Sequence, residues 1–531
     1  MKKHIIFLSL AALGFMGITS CTDELDIAKM GNMGAEEDFY QTDDDAEQAI
    51  AACYKQYADN WALITHCGDI MSDDVWCAGN SRSDDASFEN MGAFTHSSTT
   101  SKIENLFKGL YAQIYRANLV IDKFENVDTD VKKRDKAEAY FFRGMAHFYL
   151  GAFFGTAPIV DHLLTTDEYN QPNSTRAGLY EQAISDLTQA ANGLKVKSAM
   201  GDNNTRITKE AASALLGKVY LFLGDTNKNA NGEYSKAVSA LKVCAESTSY
   251  KLYEGNIGDL GHAMCDYNDE YVLEVNRTPD MSNLFSLYSE AYVYYAWRQQ
   301  LIDATDQKAD YAALCAGWGF MNPTSDIYNA FVKEEGVDGY RLNQSIITTA
   351  QMEENLGLKP VKGLVIHGNE GYWTWKRRGC AEDYVMLLGL PHANFVYMRL
   401  AEVYLLLAEA AVKTNDEGTA TTYLNKVRQR AKLGEKNATL DAIKLERRLE
   451  LFQEGQRWLD LVRWGDAANV LKDHGKVMYA WDVDAKKAVI EYQDPSSHGF
   501  IAGKHEVLPI PDTEVLMNDN LVQNPGYGSD N

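Results

Sequence analysis

Two stretches of this chain set flat aromatic rings beside polar groups, the first of them in a segment with no helical or strand period. In the first, Asp73-Asp74-Val75-Trp76 leads to Asn80 and Arg82; in the second, Tyr292, Tyr294, Trp297 and Arg298 precede Trp318 and Phe320. Rigid rings flanked by hydrogen-bonding groups suit a ligand with apolar faces and a polar rim, which is what a sugar offers. The candidate ligand contacts are therefore Trp76, Asn80, Arg82, Tyr292, Tyr294, Trp297, Arg298 and Trp318. A packing role competes for several of them, because Tyr288, Tyr292, Tyr295 and Gln299 keep helical spacing and read equally as one buried helix face. The sequence has no H-E-x-x-H, and Asp43-Asp44-Asp45 and the Asp482/Asp484 pair lack the spacing and glycine of a calcium loop. No catalytic residue, cofactor or metal is expected.

The elements that must hold these rings are mainly helical. Thr42 is placed to cap a helix from residue 43 to about 57, with Asp45 three residues on in a capping-box arrangement, and Leu106, Leu110, Ile114, Ala117 and Ile121 form one stripe of a second helix. Paired amphipathic helices follow at 134–153, 176–193, 209–223, 234–247, 397–413 and 418–433. The unit Ala212-x2-Leu215-x3-Val219-Tyr220-x3-Gly224-Asp225, then Tyr234-x2-Ala237-x3-Leu241, is similar to a tetratricopeptide repeat. Between 250 and 394 the pattern stops and a loop-rich lobe with a few short strands takes over, and the stretch after Trp464 is again loop-rich. The fold class expected is mainly α: a tetratricopeptide-like scaffold displaying an irregular lobe.

Ahead of all this, Lys2 and Lys3, an apolar run from Ile5 to Ile18 and the pair Thr19-Ser20 converge on Cys21. That layout reads as a secretion signal, and the run is well short of the roughly 20 residues a spanning helix needs. Ile18-Thr19-Ser20-Cys21 resembles a bacterial lipobox, which implies cleavage before Cys21 and acylation of it. Thr22-Asp23-Glu24 resembles the acidic signal that sends some lipoproteins to the outer face of the cell. The expected divisions are 1–20 signal, 21–40 lipidated tether, 41–249 N-terminal helical region, 250–394 variable lobe and 395–531 C-terminal region.

A net charge of -24 argues against nucleic acid and against a basic lipid-binding surface. Lys376-Arg377-Arg378 is the densest cationic cluster on a loop or strand end, readable as an anion contact or as a charge-blunted strand edge. The cysteines after Cys21 (Cys53, Cys67, Cys77, Cys244, Cys265, Cys315 and Cys380) contain no C-x-x-C and read as small buried apolar residues.

Ordered landmarks run the length of the chain: Gly68-Asp69 to Ser72-Asp73-Asp74, Tyr115-Arg116-Ala117-Asn118, Ala137-Glu138-Ala139-Tyr140-Phe141-Phe142-Arg143-Gly144 to Phe154-Gly155-Thr156-Ala157-Pro158, and Arg399-Leu400-Ala401-Glu402. The series continues with Leu424-Asn425-Lys426-Val427-Arg428, Glu446-Arg447-Arg448-Leu449-Glu450, Glu454-Gly455-Gln456-Arg457-Trp458, Leu508-Pro509-Ile510-Pro511 and Gln523-Asn524-Pro525-Gly526-Tyr527. Together they resemble the SusD/RagB family of outer-membrane nutrient-binding lipoproteins. The resemblance implies a non-enzymatic lid on a TonB-dependent outer-membrane transporter, capturing glycans or, in some members, peptides. It is thinnest between 250 and 381, where ligand choice is expected to lie. The landmark charges read as structural: Glu446, Arg447, Glu450, Glu454 and Arg457 keep helical spacings suited to ion pairs, Arg399 with Glu402 and Arg428 with a facing carboxylate could tie helices together, and Trp458 reads as core. A surface glycosidase with two facing carboxylates is the reading from another class, and no pair in the sequence is singled out for it.

Overall fold

The computed structural model describes residues 40–124, 127–201, 205–277, 290–303, 311–385 and 390–528. Cys21, the leader and nearly all of the tether lie outside the described residues.

The first helix, α1 (Asp43–Ile70), starts on the capping box: the Thr42 hydroxyl accepts the Asp45 N–H at 3.1 Å and the Asp45 carboxylate accepts the Thr42 N–H at 2.8 Å. It buries Ala46, Ile50, Cys53, Tyr57, Trp61 and Ile64 at steps of three or four, and so runs well past the residue 57 expected from sequence. Next come α2 (Ser101–Lys123), α3 (Asp130–Tyr149), α4 (Arg176–Gly193), α5 (Lys209–Asn227) and α6 (Glu233–Ala245). Thr129, Thr175 and Thr208 cap α3, α4 and α5, each hydroxyl accepting an N–H of the first turn that has no partner within the helix. A π-helical turn, Leu150–Phe154, completes the stretch that the sequence assigns to the end of α3.

Each helix packs on the next, and α6 packs on α7 (Leu400–Lys413), which packs in turn on α8 (Glu417–Arg430). The irregular lobe therefore interrupts the stack without breaking it. Its two ends meet in an antiparallel pair in which β2 (Tyr271–Val275) lies against β5 (Phe395–Arg399). The remaining strands used below are β1 (Val75–Cys77), β3 (Met321–Pro323), β4 (Val365–His367), β6 (Val477–Asp482) and β7 (Lys487–Gln493), the last three forming one sheet in the order β7-β6-β4. The region after Trp464 thus holds a β-hairpin and two short helices, Ala467–Val470 and Asp512–Met517, among its loops. Its mostly exposed strand β7 lacks the alternation that marks a half-buried strand in sequence.

Several of the ordered landmarks meet at a buried seam, built with α9 (Leu440–Glu450) and α10 (Arg457–Trp464). A Cβ on Gly68 would lie 2.1 Å from the Gly455 carbonyl oxygen, so the two backbones touch only because residue 68 has no side chain. Asp69 accepts the Gly455 N–H at 2.9 Å and a hydrogen bond from the Tyr295 hydroxyl. Burial pushes the Asp69 carboxyl up to about 7. Asp73 takes a two-point bond from Arg457 at 2.8 and 3.0 Å, and Arg448 reaches Asp74 at 2.8 Å.

Deeper in the seam, Arg399 bonds Glu270, Glu450 and Glu454, while Arg341 bonds Glu335, Glu446 and Glu450 and Arg428 bonds Glu446. Arg399 therefore does not pair with Glu402, three positions along. Glu402 turns to Lys218 of α5 at 2.8 Å instead. Lys376-Arg377-Arg378 is neither an anion contact nor a strand edge: Lys376 donates to the carbonyls of Glu450 and Phe452 at 3.0 and 2.9 Å, and Arg377 is buried against Gln453. Trp458 is fully buried and stacked on Phe153. The cysteines from Cys53 to Cys380 are unpaired.

Candidate functional site

The two aromatic stretches singled out in the sequence meet because β1 pairs antiparallel with β3, Trp76 opposite Asn322. The ladder runs on past Cys77: the Ala78 N–H donates to the Phe320 carbonyl at 2.8 Å and the Gly79 N–H to the Gly319 carbonyl at 3.1 Å. Loop 79–85 is thereby laid beside loop 316–320. The second loop is pinned from below, with the N–H groups of Trp318, Gly319 and Phe320 donating to the carbonyls of Val293 (2.7 Å), Ala296 (2.9 Å) and Tyr294 (2.8 Å). Gly317 makes this close approach possible, since a Cβ there would lie 2.1 Å from the Ala296 oxygen.

The result is a rim with one raised ring. Trp318 is 37% exposed, an unusual state for an indole, and its ring rests edge-on against Tyr294 at 5.1 Å. Arg298 ties the rim together: its Nε donates to the Trp318 carbonyl at 2.9 Å and its Nη2 lies 2.7 Å from Asp84, whose carboxylate also accepts the Asn80 N–H at 2.9 Å. Asn80 and Arg82 are exposed. The Arg82 guanidinium lies 4.1 Å over the ring of Tyr492 on β7, which brings a residue from the far end of the chain to the same surface.

The other four candidates are structural supports. Trp297 is 1% exposed and anchors the core of the lobe between Trp373 and Trp375, its Nε1 donating to the Thr374 carbonyl at 3.0 Å. Tyr292 and Tyr294 point inward from the short helix Glu290–Tyr295, Tyr292 bonding the Asn394 carbonyl and Tyr294 packing on His66, Phe88 and Phe320. The helical spacing is thus a packing signal for Tyr292 and Tyr295 only, since the helix ends at Tyr295 and Gln299 is exposed. Trp76 is buried in the floor, stacked on His474 at 5.0 Å with its Nε1 donating to Glu370 at 2.8 Å. Asp84 and Tyr492 carry no local signal in the sequence, because Asp84 acts through Arg298 and Tyr492 joins by tertiary contact alone.

The profile described as "SusD family" matches residues 287–527, and that described as "Starch-binding associating with outer membrane" matches residues 35–221. The chain belongs to the SusD/RagB family. A SusD-like protein of Bacteroides ovatus is 25% identical, the alignment covering 99% of this chain and 98% of that protein. The starch-binding protein SusD of Bacteroides thetaiotaomicron is 22% identical over 99% of each chain. Among solved structures, a laminarin-binding SusD-like protein superposes with a TM-score of 0.73 at 27% identity, covering 91% of this chain and 99% of that one. The surface glycan-binding protein A of B. thetaiotaomicron, in complex with laminarihexaose, shares the fold with a TM-score of 0.72 at 22% identity.

In this SusD-like chain, one group among the described residues has the donor set for a metal: His262, Cys380 and Asp383. The His262 Nδ1 lies 2.7 Å from Asp383 and its Nε2 lies 3.8 Å from the Cys380 sulfur. Burial pushes the Cys380 thiol up to about 11. No helix among the described residues is long and apolar enough to cross a membrane.

Proposed function

We propose that this SusD/RagB protein is a cell-surface glycan-binding lipoprotein that captures oligosaccharide on the Trp318 rim and passes it to a TonB-dependent transporter it covers. The observation that carries the reading is Trp318, a partly exposed indole on a loop whose backbone is fixed by consecutive hydrogen bonds to the residues beneath it. Such a ring can stack on a sugar face with little ordering cost, while Asn80, Arg82 and Arg298 supply hydrogen bonds around it. The laminarin-binding relative on the same scaffold supports a glycan ligand. Anchoring through an acylated Cys21 fits a fold with no membrane-crossing helix among the described residues. The role is binding, not catalysis: the rim carboxylate Asp84 is held by Arg298 and by the Asn80 N–H.

The test is affinity electrophoresis of the protein beginning after Cys21, through gels containing laminarin, starch or an anionic polysaccharide. Retardation by one polymer, lost in Trp318→Ala, is the expected result. Retardation that survives the substitution would remove the rim from the reading, and absence of retardation on every polymer would shift the ligand toward peptide.

A further inference from the structure

Away from the rim, a cavity of 490 Å³ opens between α1 and the end of β2, lined by Tyr54 and Tyr57 from one side and by Asn276 and Arg277 from the other. Three buried polar atoms on its lining residues have no hydrogen-bond partner: the Tyr57 hydroxyl, Asn276 Oδ1 and Arg277 Nε. Buried polar groups are nearly always satisfied, so three orphans on the lining of one cavity call for a common partner. The Asn276 amide is fixed in orientation, because its Nδ2 donates to the Thr205 carbonyl at 2.8 Å.

The charges around Arg277 are already committed elsewhere. Glu47 pairs with Arg134 and Arg206, and Asp59 pairs with Lys55 at 2.5 Å. Glu274 is bonded by the Asn394 Nδ2 and the Tyr267 N–H, and burial pushes its carboxyl up to about 7. The Arg277 guanidinium itself makes no ion pair among the described residues, and burial pulls its affinity for the proton down despite the more distant Asp59. Such a fork is built for a carboxylate.

The orphans specify the ligand further. Arg277 Nε is a donor and asks for an acceptor, whereas Asn276 Oδ1 is an acceptor and asks for a donor such as a hydroxyl; the Tyr57 hydroxyl serves either. The cavity falls within the size range of small-ligand sites, and its tyrosine rings offer flat apolar surface. We propose that this cavity is a second ligand site, taking a carboxylate that also carries hydroxyls, and, resting on the glycan reading above, that the ligand is a uronic acid unit. Its carboxylate sits in the Arg277 fork and one of its hydroxyls donates to Asn276 Oδ1.

Calorimetric titration of the protein beginning after Cys21 with sodium D-glucuronate tests this, with glucose, acetate and lactate as controls. Saturable glucuronate binding is expected, weakened at least tenfold in Arg277→Gln, severalfold in Tyr57→Phe and unchanged in Trp318→Ala. Glucose and acetate, each lacking half of the pattern, should not saturate. Lactate binding as tightly as glucuronate would overturn the sugar assignment. No glucuronate binding, or equal binding in Arg277→Gln, would overturn the site. Glucuronate binding that persists when no polymer is retained would leave this site standing while the rim reading falls, and loss of both in Trp318→Ala would show a single site. Arg277→Gln should also melt no lower than wild type without ligand, since it removes an unpaired buried charge; if it fails to fold, Arg277→Lys and Tyr57→Phe carry the comparison.

Discussion

The seam and the rim use the same residue types to opposite ends. In the seam, Arg399 and Arg341 are buried and Arg430 nearly so, and each bonds two or more carboxylates. At the rim, Arg298 holds one carboxylate that is 28% exposed and Arg82 lies over a tyrosine near solvent. Identical guanidinium chemistry thus specifies how the chain ends join in one place and offers replaceable contacts in the other. What separates the two is desolvation, because buried charges cannot lose a partner without penalty whereas exposed ones fall back on water.

Replacing Glu450 by Gln would be the hardest blow to the seam, since it strips a charge partner from three buried arginines. A loss of about 3–5 kcal/mol in urea unfolding is expected, with glycan retention unaffected in the fraction that stays folded. A loss under ~1 kcal/mol would mean that the network is far better solvated than its burial indicates.

The seam also carries a pH signature with two signs. The Glu454 carboxyl, which burial pushes up but Arg399 and Lys376 pull down to about 2, stabilises the fold above its ordinary range near 4.5 and loses that contribution as pH falls toward 2. Asp69, raised to about 7 by burial, does the reverse: its contribution is complete below its ordinary 3.8 and is lost as pH rises through 7. Asp69→Asn mimics the protonated acid and should flatten the decline in stability between pH 4 and 7. Parallel stability curves for variant and wild type would show that Asp69 is ionised in the native state.

At the rim the expected pattern inverts. Trp318→Ala should change unfolding free energy by under about 0.5 kcal/mol while costing about 2 kcal/mol of glycan affinity; a matched loss of stability would class Trp318 with the core. Arg82→Ala is the mildest change, under about 1 kcal/mol in affinity, and no change at all would leave Arg82 as a cover for Tyr492.

Legibility in the sequence followed the same divide. Local chemistry was readable: the Thr42 and Asp45 capping box forms as expected, and the apolar stripe of α2 is buried. The landmark charges are structural, as expected, but they do not share one helix face, since α9 ends at Glu450 and α10 begins at Arg457, and their partners, such as Glu270 and Glu450 for Arg399, are reached through tertiary folding. For the rim, composition flagged two loops that the fold brings together and Trp318 emerged on the surface, but Trp297 and Tyr292 in the same run turned inward. An aromatic in a loop carries no periodicity to say which way it faces, so burial decides, and burial is set by β1 meeting β3 across more than 240 residues of chain.

The lobe that carries Trp318 leaves the helical stack at β2 and returns at β5, two strands zipped side by side, while α6 and α7 close over the gap. The chain enters and leaves the lobe at one point, so lengthening what lies between changes the closure entropy only logarithmically. Yet the lobe is not detachable: Tyr295, Arg341 and Lys376, all inside it, bond Asp69, Glu446 and the Glu450 carbonyl outside it, so new sequence is accommodated in loops that make no seam contact while these anchors stay.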